Sequence, residues 1–100
     1  MISLDPLKSF CEDDTSFFNT MKELLLEELL TSNELFKFSE NLEAKASAIH
    51  RLKPKYGMFG LYEVESELKS LELDMKSGKD RDLEYWIDIN NQLIKLLQEV

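Results

Sequence analysis

The sequence has little of what secreted domains and most enzymes rely on. It carries one cysteine, Cys11, in 100 residues. No internal disulfide is possible, and the chain reads as intracellular. Three glycines and two prolines are too few for a small β-sandwich or barrel, which needs a turn roughly every 8–12 residues. The longest apolar run, Leu24-Leu25-Leu26, falls far short of the roughly 20 residues that span a bilayer. The opening MISLDPLKSF lacks the basic region and apolar run of a secretory signal. Positive charge is also scarce: 12 basic residues face 20 acidic ones, a net charge of −8. Phosphate backbones and anionic membrane surfaces would repel such a chain, which excludes nucleic acid and membranes as expected partners. There is a single histidine, His50. Gly-rich phosphate loops, nucleophile elbows and metal-ligand clusters are missing. The Glu-x-x-His pattern of di-iron bundles is absent too, because the residue three before His50 is Ser47. No metal or cofactor is expected.

Leu, Glu and Lys are plentiful, and these favour helices. Asp5-Pro6 opens a short helix, with Asp5 as its cap and Leu4, Leu7 and Phe10 as its apolar edge. The acidic cluster ending at Asp14-Thr15 starts a long amphipathic helix over about residues 15–37. Ser39 is the expected cap of a third helix carrying Leu42, Ala46, Ile49, Leu52 and Tyr56, ended by Gly57 and Gly60. A fourth is expected over about 61–76, stopped by Gly78. Asp80 or Asp82 caps a fifth, which carries Leu83, Trp86, Ile87, Ile89, Ile94 and Leu97. Short connections make neighbouring helices antiparallel. The expected fold is therefore all-α: an antiparallel up-down four-helix bundle with a short additional N-terminal helix, one domain over residues 1–100. A cytoplasmic monomer is expected, and the Met1 start favours a freestanding protein.

His50 is the residue with chemical potential. At about 100° per residue, it lies at the margin of an apolar stripe centred near Ile49. Its neighbours on that face are Glu43, Ala46, Ser47, Lys53, Pro54 and Gly57, and the very small Ala46, Ser47 and Gly57 leave a low collar around the ring. Lys53, one turn on, places an ammonium beside it, suited to stabilising negative charge that arrives on the imidazole. The plain alternative is a surface histidine beside a routine lysine. Cys11 reads as a small packing residue. Trp86, Phe17 and Phe18 read as core or core edge, and Met58 and Phe59 as a plug at the end of the bundle.

The segment AIHRLKPKYGMFGLYEVESELKSLE resembles the active helix of histidine-containing phosphotransfer (HPt) domains. Their signature is His-x-x-Lys, usually followed by Gly, with a second Gly ten residues after the histidine. His50, Lys53 and Gly60 match it. Leu61 to Glu72 is similar to the family's next helix, including its Leu-Glu (Leu71-Glu72), and the acidic cap at Asp14 before a Phe- and Leu-rich helix also fits. The resemblance covers nearly the whole chain and implies the same four-helix bundle. It implies a phosphocarrier rather than an enzyme, relaying a phosphoryl group through His50 between aspartates of response-regulator receiver domains, with a hybrid histidine kinase as a further partner. The receiver would supply the Mg²⁺. Lys53 would stabilise the phosphoryl oxygens. Ala46, Ser47, Pro54, Gly57 and Gly60 would form the docking surface, and Lys45, Arg51 and Lys55 would add positive charge to it.

Two positions depart from the pattern. Ile49 replaces a small residue, a change on the core face. Pro54 stands where the family has Gly, and it lacks the N–H that would bond the His50 carbonyl. A kink or loosening at the histidine is expected there. Pro54 motivates an alternative: a helical adaptor that binds a receiver without taking phosphate. A metal-dependent bundle enzyme is the remaining reading.

Overall fold

A computed structural model describes residues 2–100, which are helical and free of strands. Five α-helices follow in order: α1 (Asp5–Phe10), α2 (Thr15–Phe38), α3 (Leu42–Tyr56), α4 (Glu65–Lys76) and α5 (Glu84–Gln98). A 3-10 turn, Gly57–Phe59, closes α3. The body measures 43 × 24 × 18 Å. Helix α3 packs against α4 and α2, α2 also packs along α5, and α1 rests on the 3-10 turn.

The local chemistry explains most boundaries. Asp14 has extended backbone, and its Oδ1 accepts the Phe17 N–H at 3.0 Å, so α2 starts where the acidic cluster predicts. Helix α3 is capped by Asn41, whose Oδ1 accepts the Ala44 N–H at 3.1 Å. Ser39, the expected cap, instead ends α2 and accepts the Asn41 N–H. Asp5 is not a cap either. It is the first residue of α1, and its own N–H donates to Ser3 Oγ. Asp82 Oδ1 accepts the N–H of Glu84, the first residue of α5, whereas Asp80 pairs with Lys45.

Helix α4 begins at Glu65, four residues later than the apolar spacing implies. Leu61 and Val64 still pack against the core, but from a turn. Its other end is a Schellman motif. The Lys79 N–H donates to the Asp74 carbonyl and the Gly78 N–H to that of Met75, with Gly78 at φ +86°. A Cβ at Gly78 meets no atom within 4 Å, so substitution there strains only the backbone. Gly78→Ala is expected to cost about 1 kcal/mol in urea unfolding.

Most of the predicted apolar stripe is buried, including Leu7, Ala46, Ile49, Leu52, Tyr56, Leu83, Trp86, Ile87 and Leu97, and Leu25, Leu29, Leu68, Met75 and Leu93 join them. Cys11 and Phe59 are buried as well. Phe10 and Phe17 are corrections: both are exposed, their rings tilted against each other at 5.7 Å. The core also contains polar atoms. Tyr56 Oη donates to Asn90 Oδ1 at 2.6 Å, Asn90 Nδ2 to Asn33 Oδ1 at 2.9 Å, and Asn33 Nδ2 to Asn91 Oδ1 at 3.0 Å. This chain of amides links α3, α5 and α2. Burial pushes the Tyr56 hydroxyl well above its ordinary range, against the opposing pull of its bond to Asn90.

Candidate functional site

Helix α3 carries His50 two turns before its end, with its side chain 68% exposed. The flanking residues Ile49 and Leu52 are buried, so the helix is held by its core face and presents the ring outward. Helix α3 continues through Pro54 to Tyr56, and the chain tightens only at Gly57–Phe59. Helical residues run without a gap through His50, so the kink or loosening expected there does not interrupt α3. Pro54 stands in the last turn, where little helix remains downstream of its missing N–H. Gly60 takes the left-handed conformation (φ 80°) that turns the chain back, with its N–H on the Gly57 carbonyl and the Leu61 N–H on that of Tyr56.

A carboxylate that no motif singled out organises the site. Glu72 of α4 is 6% exposed and holds three donors. Lys53 Nζ lies 2.7 Å from its Oε1, Lys76 Nζ lies 2.7 Å from its Oε2, and His50 Nδ1 lies 3.2 Å from Oε2. Burial pushes the Glu72 carboxyl up, but bonds from Lys53, Lys76 and His50 and the Lys53 charge outweigh it. The carboxyl is held at about 2, below its ordinary 4.5. Glu72 is therefore ionised at neutral pH and can only accept hydrogen bonds. The nitrogen facing it, His50 Nδ1, must carry the proton. In a neutral imidazole this leaves the lone pair on Nε2.

Because the folded value is depressed, Glu72 stabilises the fold fully above about pH 4.5 and loses that contribution as pH falls towards 2. Its cover consists of its own flexible donors, which discounts the effect to about 2 kcal/mol. The unfolding free energy of the native chain minus that of Glu72→Gln is expected to shrink by that amount between pH 6 and pH 2 in urea titrations.

The remaining expected site residues divide. Ser47 and Pro54 are exposed beside His50, and Gly57 is half-buried. A Cβ at Gly57 would rest on the Tyr62 ring at 3.7 Å, an ordinary contact. Ala46 is buried and belongs to the core beneath the site, not to its surface. The three flanking cations all have carboxylate partners. Arg51 and Lys55 reach Glu28 at 2.9 and 3.9 Å, and Lys45, itself buried, reaches Asp80 at 3.5 Å. Among the described residues, no group of three or more His, Cys, Asp or Glu side chains could hold a metal ion. No helix among them is long and apolar enough to cross a membrane.

The sequence did hold a signal for Glu72. It lies in the buried stripe of α4, between Leu68, Leu71 and Met75, four residues before Lys76. A carboxylate in that position needs cations, and α3 supplies one. Comparison with protein-family models, curated proteins and solved structures found no match.

Proposed function

We propose that this chain is a histidine phosphotransfer protein that relays a phosphoryl group between receiver-domain aspartates through His50. The observation that carries this reading is an exposed imidazole whose Nδ1 is committed to a buried, ionised carboxylate. The attacking atom is then Nε2. Its lone pair forms a bond to phosphorus as the bond from phosphorus to the receiver's aspartyl oxygen breaks. The aspartate leaves as a carboxylate, and the reverse step discharges His50 onto a second receiver. The Nδ1 proton stays in place, so the phosphorylated ring carries positive charge, which Glu72 balances without moving a proton.

No turnover of a substrate is involved, and the Mg²⁺ belongs to the receiver. The partners are response-regulator receivers and a hybrid kinase that contains one. We read the four long helices as an antiparallel up-down bundle in a cytoplasmic monomer. That arrangement sets α3 and α4 side by side with the His50 ring on their open face. The matched residues His50, Lys53 and Gly60 support the reading from the sequence side.

The test is incubation with receivers carrying radiolabelled phospho-aspartate. Label is expected to pass to this chain and to be lost in acid but stable in base, the behaviour of a phosphorus–nitrogen bond. Receiver binding with no transferred label would overturn the carrier reading in favour of an adaptor.

A further inference from the structure

Two grooves lie along α3, and they share no residue. The first is lined by Ser47, His50, Arg51, Glu72 and Lys76. The second is lined by Lys53, Pro54, Gly57, Leu61, Tyr62 and Glu65. The histidine opens into the first groove, while the lysine three residues after it lines the second. The two ammonium groups on Glu72 also differ in freedom. Lys53 is 19% exposed and bound to Oε1. Lys76 is 56% exposed and shares Oε2 with His50 Nδ1.

We infer that Lys76, not Lys53, is the cation that meets the phosphoryl group on His50, and that Lys53 is a positioning residue acting through Glu72. The inference rests on the phosphocarrier reading. A phosphoryl group on Nε2 is a dianion placed in the groove that Lys76 borders. The long, exposed Lys76 side chain exchanges its contact with Glu72 Oε2 for one with a phosphoryl oxygen. No covalent bond forms to the lysine and no proton leaves it. Lys53 stays on Oε1, so Glu72 remains ionised and keeps the proton on Nδ1. Ser47, one turn before His50, lines the same groove, and its hydroxyl is a second donor to the phosphoryl oxygens.

Phosphoramidate tests this without any receiver. Nε2 attacks its phosphorus, the phosphorus–nitrogen bond of the reagent breaks and ammonia leaves. The phosphoryl group on the intact protein is then titrated with pH by ³¹P NMR. A cation nearby lowers the titration midpoint, so Lys76→Met is expected to raise it by about 1 pH unit, with Lys76→Arg restoring it. Lys53→Met is expected to move it far less. A Lys76→Met midpoint equal to that of the native chain overturns the inference, as does a larger shift in Lys53→Met. If Lys53→Met does not fold, the Lys76 pair decides alone. A native chain that refuses phosphate from receivers yet is labelled by phosphoramidate sinks the carrier reading while the titration still reads Lys76. A His50 that takes no phosphoryl group from phosphoramidate overturns both.

Discussion

His50→Gln is expected to take up no label from a phosphorylated receiver, a complete loss within the sensitivity of the assay, while unfolding at nearly the native denaturant concentration. The separation of the two effects is the informative part. His50 is the only histidine in the chain, so no second imidazole can substitute for it. Glutamine ends in an amide whose nitrogen lone pair is delocalised, and it is no nucleophile at phosphorus. The cost to folding is small because the ring is largely exposed and its bond to Glu72 is one of three that the carboxylate holds. Exposed substitutions of this kind stay within about 0.5 kcal/mol. Label persisting in the variant would place the phosphoryl group elsewhere and end the assignment of His50. A large loss of stability would instead show that the ring supports the fold.

Tyr56→Ala is expected to be the most damaging single change to the fold. The side chain is fully buried, its ring stacks on Trp86 with centroids 6.0 Å apart, and its hydroxyl donates to Asn90. Truncating a core aromatic to alanine costs about 4 kcal/mol. In a domain of this size that lowers Tm by roughly 20 °C. Tyr56→Phe keeps the ring and leaves the Asn90 carbonyl without its donor, at a cost of about 1–2 kcal/mol. The ratio of the two costs, from thermal and urea unfolding, separates packing from the hydrogen bond. A Tyr56→Ala cost below that of the phenylalanine variant would contradict the packing described. Tyr56 ends the helix that carries His50, so its anchoring also fixes the direction in which the ring points.

The helices were legible because their apolar residues recur at helical spacing over long runs, and because Asp14 and Gly78 are strong local stop and start signals. The boundaries that shifted have local causes. Ser39 and Asn41 are both competent caps two residues apart, and only the backbone decides that Asn41 is the one used. Leu61 and Val64 keep helical spacing, yet the left-handed turn at Gly60 delays α4 to Glu65. His50 and Lys53 could be picked out from residue types and spacing. In the sequence Glu72 stands out only as half of the Leu71-Glu72 pair. Its role depends on the packing of α3 against α4, which no single helix pattern contains. The amide chain through Asn33 and Asn90 was invisible for a related reason: on periodicity alone, a polar residue reads as solvent-facing.

The tie between the N-terminal segment and the 3-10 turn bears on how this molecule opens and closes. The Ser3 N–H donates to the Phe59 carbonyl, and α1 lies on Gly57–Phe59. A six-residue helix has almost no helical stability of its own, so α1 survives only while docked. Undocking it frees the Phe59 carbonyl and bares the corner from which α3 turns towards α4. The amides of Gly60 and Leu61 should therefore exchange with solvent deuterium at a rate set by release of α1, well before the amides of Leu52 and Leu93 in the core. Partial unzipping from the first residues would thus reach the corner beside the His50 helix while leaving its buried face intact.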